Sequence, residues 1–472
     1  MATPTQFVSD HRAEFEAELS DFLRIPSIST LPTHRADVEK AAAWVAEHLR
    51  AIGLDTQIIP TAGYPLVYAE WMGAGGRPTV LGYGHYDVQP ADPLDLWTSP
   101  PFHPTVRGKS LYARGASDDK GQIFTMIAAV RAYLRTGTRL PVNVKLLIEG
   151  EEESGGAGIE AYVRTNAERL RADAALALDS GMFAPHVPAI TLGLRGMVAT
   201  EVEVTGASRD LHSGLYGGAA PNPFVALAEI ITGLKDPQGR ILIPHFYDRV
   251  VPPHPDEKAA WERLPFDEEK FLRDEVGAPA LTGEPGYSVL ERIWARPTLE
   301  VHGMPGGFTG EGFKTVIPAR ASAKISMRLV PDQDPDEIFN VFEAHVRRIQ
   351  PRGTRVSFRG RQAAGKLATY GSAKPVVISP EAPPIKAARR ALAETFGREP
   401  VFIRSGGTIP IVADFVTALG VPTVITGWVL PDANIHSPNE KLDLEHFHTG
   451  IRAVMSFFEK MGRAEGATRT ET

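Results

Sequence analysis

Short apolar runs alternate with helix-like segments through the first third of the chain, give way to a differently textured middle, and resume after Pro380. That order limits the architecture. Strands separated by helical segments build a sheet covered by helices, and an alternation that stops and later resumes describes one domain interrupted by another. Residues Ser9 to Leu23 fit an amphipathic helix stopped by Pro26, and Ala36 to Ala51 a second one capped by Gly53. Strands are expected around Thr56 to Ile59, Leu66 to Trp71, Thr79 to Tyr83, Val142 to Ile148 and Ala174 to Leu178. Between them, Ile123, Met126, Ile127, Val130 and Leu134 recur at helical spacing, and Ile159 to Leu170 reads as a further helix.

In the middle, Ile190 to Leu194 and Val198 to Val204 read as antiparallel strands, followed by a helix from Phe224 to Leu234 behind Asn222-Pro223. A polar, proline-rich insertion from about Pro237 to Pro285 comes next. Strand-like runs at Leu299 to His302 and Ala321 to Leu329, a helix from Glu337 to Ile349 and a strand near Val356 complete a small sheet with helices on one face. After Pro380 come a helix over Ile385 to Thr395, strands at Pro400 to Ile403 and Pro422 to Ile425, and a helix from Leu444 to Lys460. The expected fold class is α/β: a discontinuous mixed-sheet domain of residues 1–190 and 372–472 with helices on both faces, interrupted by an inserted α+β, ferredoxin-like domain over 191–371. A chain of 472 residues exceeds what one core usually organises, which agrees with two domains.

Composition removes several function classes. The net charge is −7 and no long basic run occurs, so the clustered Lys and Arg that grip phosphates are missing and no nucleic-acid partner is expected. With no cysteine there is no disulfide, thiolate metal site or cysteine nucleophile. Met1 to Leu23 lacks the apolar centre of a signal peptide, and no stretch approaches the apolar length of a spanning helix, so no membrane partner and a cytoplasmic location are expected.

Three runs carry chemistry: His85-Tyr86-Asp87, Arg114 to Gly121 with Asp118-Asp119 at its centre, and Glu149 to Gly155 with Glu151-Glu152-Glu153. Each adjoins an apolar segment, and α/β sheets place their sites at strand ends because side chains from several strands converge there. His85 and Asp87 are two apart, so in extended backbone both project to one face. One can bind a metal while the other fixes its tautomer, although a satisfied surface pair would look the same. Asp118 and Asp119 precede a helix, where acidic residues are usually caps. Three successive glutamates are usually a solvated face, but here an apolar strand and a Ser-Gly-Gly turn hold them, and a ligand beside a general base is what water activation requires. Asp179 follows a buried strand, and His436 lies in the turn-rich Asn434 to Glu440. Imidazole and carboxylate donors without thiolates suit zinc, manganese or cobalt with positions left open for water.

Together these runs resemble the metallopeptidase family that contains carnosinase, glutamate carboxypeptidase, acetylornithine deacetylase and succinyl-diaminopimelate desuccinylase. Gly307 to Pro318 and Ser326 to Pro331 are most similar to its carnosinase-like dipeptidase branch. The resemblance implies two divalent ions, zinc by preference, one held by His85, Asp118 and Asp179 and the other by Asp118, Glu153 and His436, with the Asp118-Asp119 bond cis. It implies Glu152 as general base and Asp87 as the carboxylate that steadies the site. In the insert, His212 would reach a partner's site to stabilise an oxyanion, Thr315 would contact substrate, and Arg328 would hold the substrate carboxylate together with Thr408 from the resumed discontinuous domain. The chain departs from the family at Thr408, where serine is common. The discontinuous domain would then be catalytic and the insert a lid and homodimerisation domain. The implied activity is hydrolysis, by a bridging hydroxide, of dipeptides or short peptides with a free C-terminal carboxylate. The alternatives are an N-acyl amino acid deacylase with the same site and, from another class, a non-catalytic binding relative.

Overall fold

The computed structural model describes residues 2–359 and 372–463. Among them the chain clusters into two compact units: one made of the chain up to Leu192, Ile378–Ile403 and the chain from Ile411 on, the other of Gly193–Val377 and Arg404–Pro410. The expected junction at 371 and 372 falls at the edge of the segment outside the described residues. The fold is mixed α/β.

The first unit is built on a six-stranded sheet in the order Asp55–Ile59, Leu66–Trp71, Asn143–Glu149, Thr79–His85, Ala174–Ala177, Thr423–Ile425. The first two strands run antiparallel to their neighbours and the remaining four are parallel to one another. Asn143–Glu149 is buried along its whole length, as the central parallel strand of a covered sheet must be. Helix Lys120–Thr136 packs on Thr79–His85 and against the last helix, Leu444–Arg463, while Arg35–Ala51 covers the antiparallel edge and Pro383–Phe396 the Thr423–Ile425 edge. A second sheet of three short strands pairs Lys441–Asp443 with Ser110–Tyr112, and that with Thr105–Arg107. It brings the segment around residue 436 beside the segment around residue 118.

The second unit holds a four-stranded antiparallel sheet in the order Thr298–Gly303, Arg320–Leu329, Gly196–Thr205, Arg355–Arg359. With helices Pro223–Thr232 and Pro335–Ile349 the chain order is strand-helix-strand-strand-helix-strand, the ferredoxin-like arrangement. Gly196–Thr205 alternates buried and half-buried residues along its length, and Val198, Val202 and Val204 join Leu227, Ile230, Phe339 and Phe342 in one core.

Three helix readings change, and the strand expected at Ile190 to Leu194, observed as Ala189–Leu194, lies outside the four-stranded sheet. The helix expected over Ser9 to Leu23 is two, Pro4–Asp10 and Arg12–Leu23, because His11 leaves helical geometry and turns its Nδ1 onto the Phe7 carbonyl at 2.8 Å. The helix expected from Ile159 to Leu170 breaks at Asn166, whose amide side chain competes for the Tyr162 carbonyl at 2.9 Å. The proline-rich insertion contains a helix, Pro255–Glu262, because Pro255 occupies its first position behind a His254 cap, where a missing N–H costs nothing.

Candidate metal centre

Three of the motif segments sit where parallel strands end. His85 closes Thr79–His85, Asp87 follows it, the short helical turn Glu152–Ser154 follows Asn143–Glu149, and Asp179 lies just past Ala174–Ala177. These three strands are neighbours in the sheet, so their C-terminal ends deliver the side chains to one place. Asp118 stands in the loop before helix Lys120–Thr136, behind a cis Asp118-Asp119 peptide, and His436 reaches in with a left-handed backbone at φ 58°.

Two donor sets result, His85 with Asp118 and Asp179, and Asp118 with Glu153 and His436, each with ligand atoms within 4.8 Å of one another. Asp118 belongs to both: its Oδ1 is 3.0 Å from His85 Nε2 and its Oδ2 is 2.9 Å from His436 Nε2. Fully buried His85 turns its other nitrogen to Asp87, 3.1 Å from the backbone carbonyl and 3.3 Å from Oδ1. Asp87 Oδ2 also accepts the Glu153 amide at 3.1 Å, so one carboxylate steadies members of both sets. Glu153 Oε2 accepts from Gln89 at 2.7 Å, while buried Oε1 lies 3.3 Å from His436 Nε2 and has no hydrogen-bond partner among the described residues.

The electrostatics describe a cluster that wants positive charge. Burial, reinforced by Asp179 and Glu153 and opposed by His85, holds Glu152 well above the usual carboxylate range. Burial likewise pushes Asp179 up to about 7. For Asp118 burial acts in the same sense, but the hydrogen bonds from His436 and His85 outweigh it and keep the carboxyl below its ordinary value. Asp118 and then Glu153 in turn push the His436 imidazole up to about 10. Carboxylates this close need cations between them, and oxygen and imidazole donors fit divalent ions that would displace the imidazole protons. The unpartnered Glu153 oxygen is aimed accordingly.

Sequence reasoning gave no role, beyond a helix cap for Asp119 that its side chain does not make, to the residues that hold this cluster from behind. Buried Glu440 accepts from Arg114 Nη1 at 2.8 Å and from the amides of Gly115, Ser117 and Asp118 at 2.9, 2.8 and 3.0 Å. Asp119 accepts the His85 amide at 3.2 Å and the Gln122 side chain at 3.1 Å. Lys120 is buried, with Nζ donating to the carbonyls of Phe22 and Ile25 at 3.1 and 2.6 Å, and burial lowers its pKa to about 7. Arg114 and Glu440 both lie inside the recognised motifs, yet their pairing spans 326 positions, which no local spacing rule can detect.

The remaining expected residues lie in the second unit. His212 pairs with Val316 in a two-stranded ribbon, and the Ser213 amide donates to the Thr315 carbonyl at 3.0 Å, which makes His212 and Thr315 neighbours. His212 Nδ1 accepts the Gly214 amide at 3.0 Å, so the neutral ring carries its proton on Nε2. Half-buried Arg328, on Arg320–Leu329, donates from Nη1 to Thr408 Oγ1 at 2.8 Å.

The class and the family follow from this geometry and from comparison with known proteins. Residues 81–460 match the peptidase family M20/M25/M40, and the chain belongs to that metallopeptidase family. It is 32% identical to the Cys-Gly metallodipeptidase dug1 of Schizosaccharomyces pombe, over 97% of each chain. Human carnosine dipeptidase 1 superposes with a TM-score of 0.84 at 30% identity, covering 97% of this chain and 98% of that one. The metallo-carboxypeptidase Sso-CP2 of Sulfolobus solfataricus gives 0.85 at 32% identity, covering 95% and 99%. Among the described residues no helix is long and apolar enough to cross a membrane.

Proposed function

We propose that this metallopeptidase is a two-metal dipeptidase that cleaves the amide bond of dipeptides or short peptides bearing a free C-terminal carboxylate. The observation that carries the reading is the sharing of Asp118, one oxygen toward each histidine, between two donor sets. His85, Asp118 and Asp179 would hold one ion, and Asp118, Glu153 and His436 the other. Zinc is the preferred ion, with manganese or cobalt compatible with the same donors. When bound, the ions supply Lewis acidity and lower the pKa of water.

The protein groups perform the rest. Burial first, and then the nearby Asp179 and Glu153 carboxylates, raise the proton affinity of Glu152 against the opposing His85, which suits a base that takes a proton and returns it to the leaving amine. Asp87 orients His85. His212, with its proton on Nε2, is a donor suited to a developing oxyanion, and Thr315 beside it is a candidate substrate contact. Arg328, with Thr408 at its side, provides a planar donor fork for the substrate carboxylate. Homodimerisation through the inserted unit and a cytoplasmic location complete the proposal. The dipeptidase names of the relatives support the substrate class.

The test is Glu152→Gln with metal content measured alongside. Hydrolysis of a dipeptide panel should fall by about 10²-fold or more while metal stoichiometry stays that of the wild type. Turnover at the wild-type rate would remove Glu152 from the chemistry, and a wild-type preference for N-acyl amino acids over dipeptides would replace the dipeptidase reading with a deacylase.

A further inference from the structure

We propose that the Thr408 side chain acts through Arg328: its hydroxyl aims the guanidinium at the substrate carboxylate and does not itself donate to that carboxylate. The inference rests on the reading of Arg328 as the carboxylate clamp.

Hydrogen-bond direction carries the argument. Thr408 Oγ1 lies 2.8 Å from Arg328 Nη1 and 2.5 Å from the Arg195 carbonyl oxygen. A guanidinium only donates and a carbonyl only accepts, so both directions are fixed without seeing a hydrogen. The single hydroxyl proton goes to Arg195, and Arg328 receives a lone pair. A substrate carboxylate brought to Thr408 would meet only the other lone pair, and two acceptors repel. Arg328, by contrast, spends one N–H on Thr408 and has no neutralising carboxylate among the described residues. Its remaining donors are the ones available to an anion.

Thr408 is itself placed by Arg195, a residue outside every motif of the sequence. The Arg195 amide donates to the Ser405 carbonyl at 3.3 Å and its Nε to the Gly406 carbonyl at 3.0 Å. A Cβ on Gly406 would stand 2.7 Å from the Ile293 carbonyl and 2.8 Å from Arg195 Nη2, so this loop can approach only as glycine. Arg195 Nη1 also donates to the Arg296 carbonyl at 3.3 Å, and Arg296 is clamped by both oxygens of Glu284 at 2.7 and 2.8 Å. The chain of contacts thus runs from a bidentate ion pair through Arg195 to the Thr408 hydroxyl and ends on Arg328. Threonine serves better than serine for a fixed hydroxyl, since β-branching restricts its rotamers.

The experiment combines kinetics with crystallography on the metal-loaded enzyme. T408S, T408V, T408A, R328A and R328A/T408V are assayed on alanyl-glycine and on its C-terminal amide, and crystal structures of T408S and T408V are determined. T408V and T408A should raise KM for alanyl-glycine by about tenfold, the worth of one hydrogen bond to a charged group, with a smaller change in kcat. T408S should stay near wild type, the amide should respond little, and T408V should add less than about twofold once Arg328 is gone. In T408V crystals Arg328 should leave its wild-type rotamer, and in T408S it should not. A full further loss in the R328A background, equal losses for T408S and T408V, or an unmoved Arg328 in T408V would each overturn the inference. A wild-type enzyme inactive on dipeptides would sink the proposed reaction alone, because the position of Arg328 in T408V still judges this one.

Discussion

Arg114 and Glu440, 326 positions apart in the chain, meet in a buried ion pair of 2.8 Å. The same carboxylate accepts the Gly115, Ser117 and Asp118 amides, so the loop bearing Asp118 hangs from the segment that also bears His436. Glu440→Gln places an NH₂ group against donors and leaves the Arg114 charge unpaired. Stability should drop by about 3–5 kcal/mol, the usual cost of breaking a buried pair from one side. Metal affinity should fall by about tenfold or more, as when a ligand's supporting contact is lost. Denaturant unfolding and chelator competition read the two effects separately, and wild-type metal affinity would mean that the Asp118 loop holds itself.

Gly427 is a second remote control on the same cluster. A Cβ there would stand 1.9 Å from the Ser180 carbonyl and 2.2 Å from Gln122 Oε1. Gln122 donates to Asp119 at 3.1 Å and accepts the Trp428 amide at 2.9 Å, so its displacement reaches the Asp118-Asp119 loop. Gly427→Ala should cost about 1–3 kcal/mol in urea unfolding and weaken metal binding. A crystal structure with Gln122 unmoved would disprove the route.

His446 should govern part of the acid sensitivity. Its ring is buried, has no hydrogen-bond partner on either nitrogen among the described residues, and is faced by Asp443 at 3.2 Å, by His186 and by Glu445. Burial, only partly offset by Asp443, lowers its pKa below the ordinary 6.5. As pH falls through that ordinary value the unfolded chain takes up the proton first, so the stability held by the neutral ring is present above it and lost below it. His446→Phe, which can pack against Phe396, should therefore lose less stability than wild type between about pH 7.5 and about pH 5. Urea midpoints at the two pH values check this, and parallel losses in both proteins would refute it.

Removal of the metal should lower the unfolding temperature. A ligand bound only to the folded state contributes about 2.7 kcal/mol at a hundred times its dissociation constant. Asp118→Asn, which weakens both donor sets at once, should make the thermal midpoint insensitive to chelator, whereas Glu152→Gln should keep the wild-type response. Differential scanning calorimetry with and without chelator distinguishes them.

The sheet was legible because its strands are short apolar runs punctuated by turns and helices, and periodicity reports that directly. His85, Glu153 and Asp179 were legible because they lie at or just after those strand ends, whereas Asp118 and His436, in loops, stood out only through the combination of motifs and its resemblance to a family. His11 and Asn166 broke expected helices through side-chain bonds to backbone carbonyls, which periodicity does not register. The helix at Pro255 was hidden because proline looks like a breaker until its position is known to be the first turn. The three-stranded sheet that carries Lys441 to Tyr112 escaped notice because its strands are three residues each, too short for any alternation to show. Arg195 was invisible for a different reason: a lone arginine between strands announces nothing until its acceptors are seen.

Lys120 gives the first two helices a meaning that their distance along the chain conceals. Its ammonium ends on the carbonyls of Phe22 and Ile25, two positions beyond Asp118 in the loop-to-helix junction. A polypeptide cut to begin after Ile25 would leave that buried cation with neither acceptor, two residues along the chain from the shared aspartate. The leading helices are therefore an anchor for the loop that carries the reactive centre, and shortening the protein from that end should empty the centre before it unfolds the sheet.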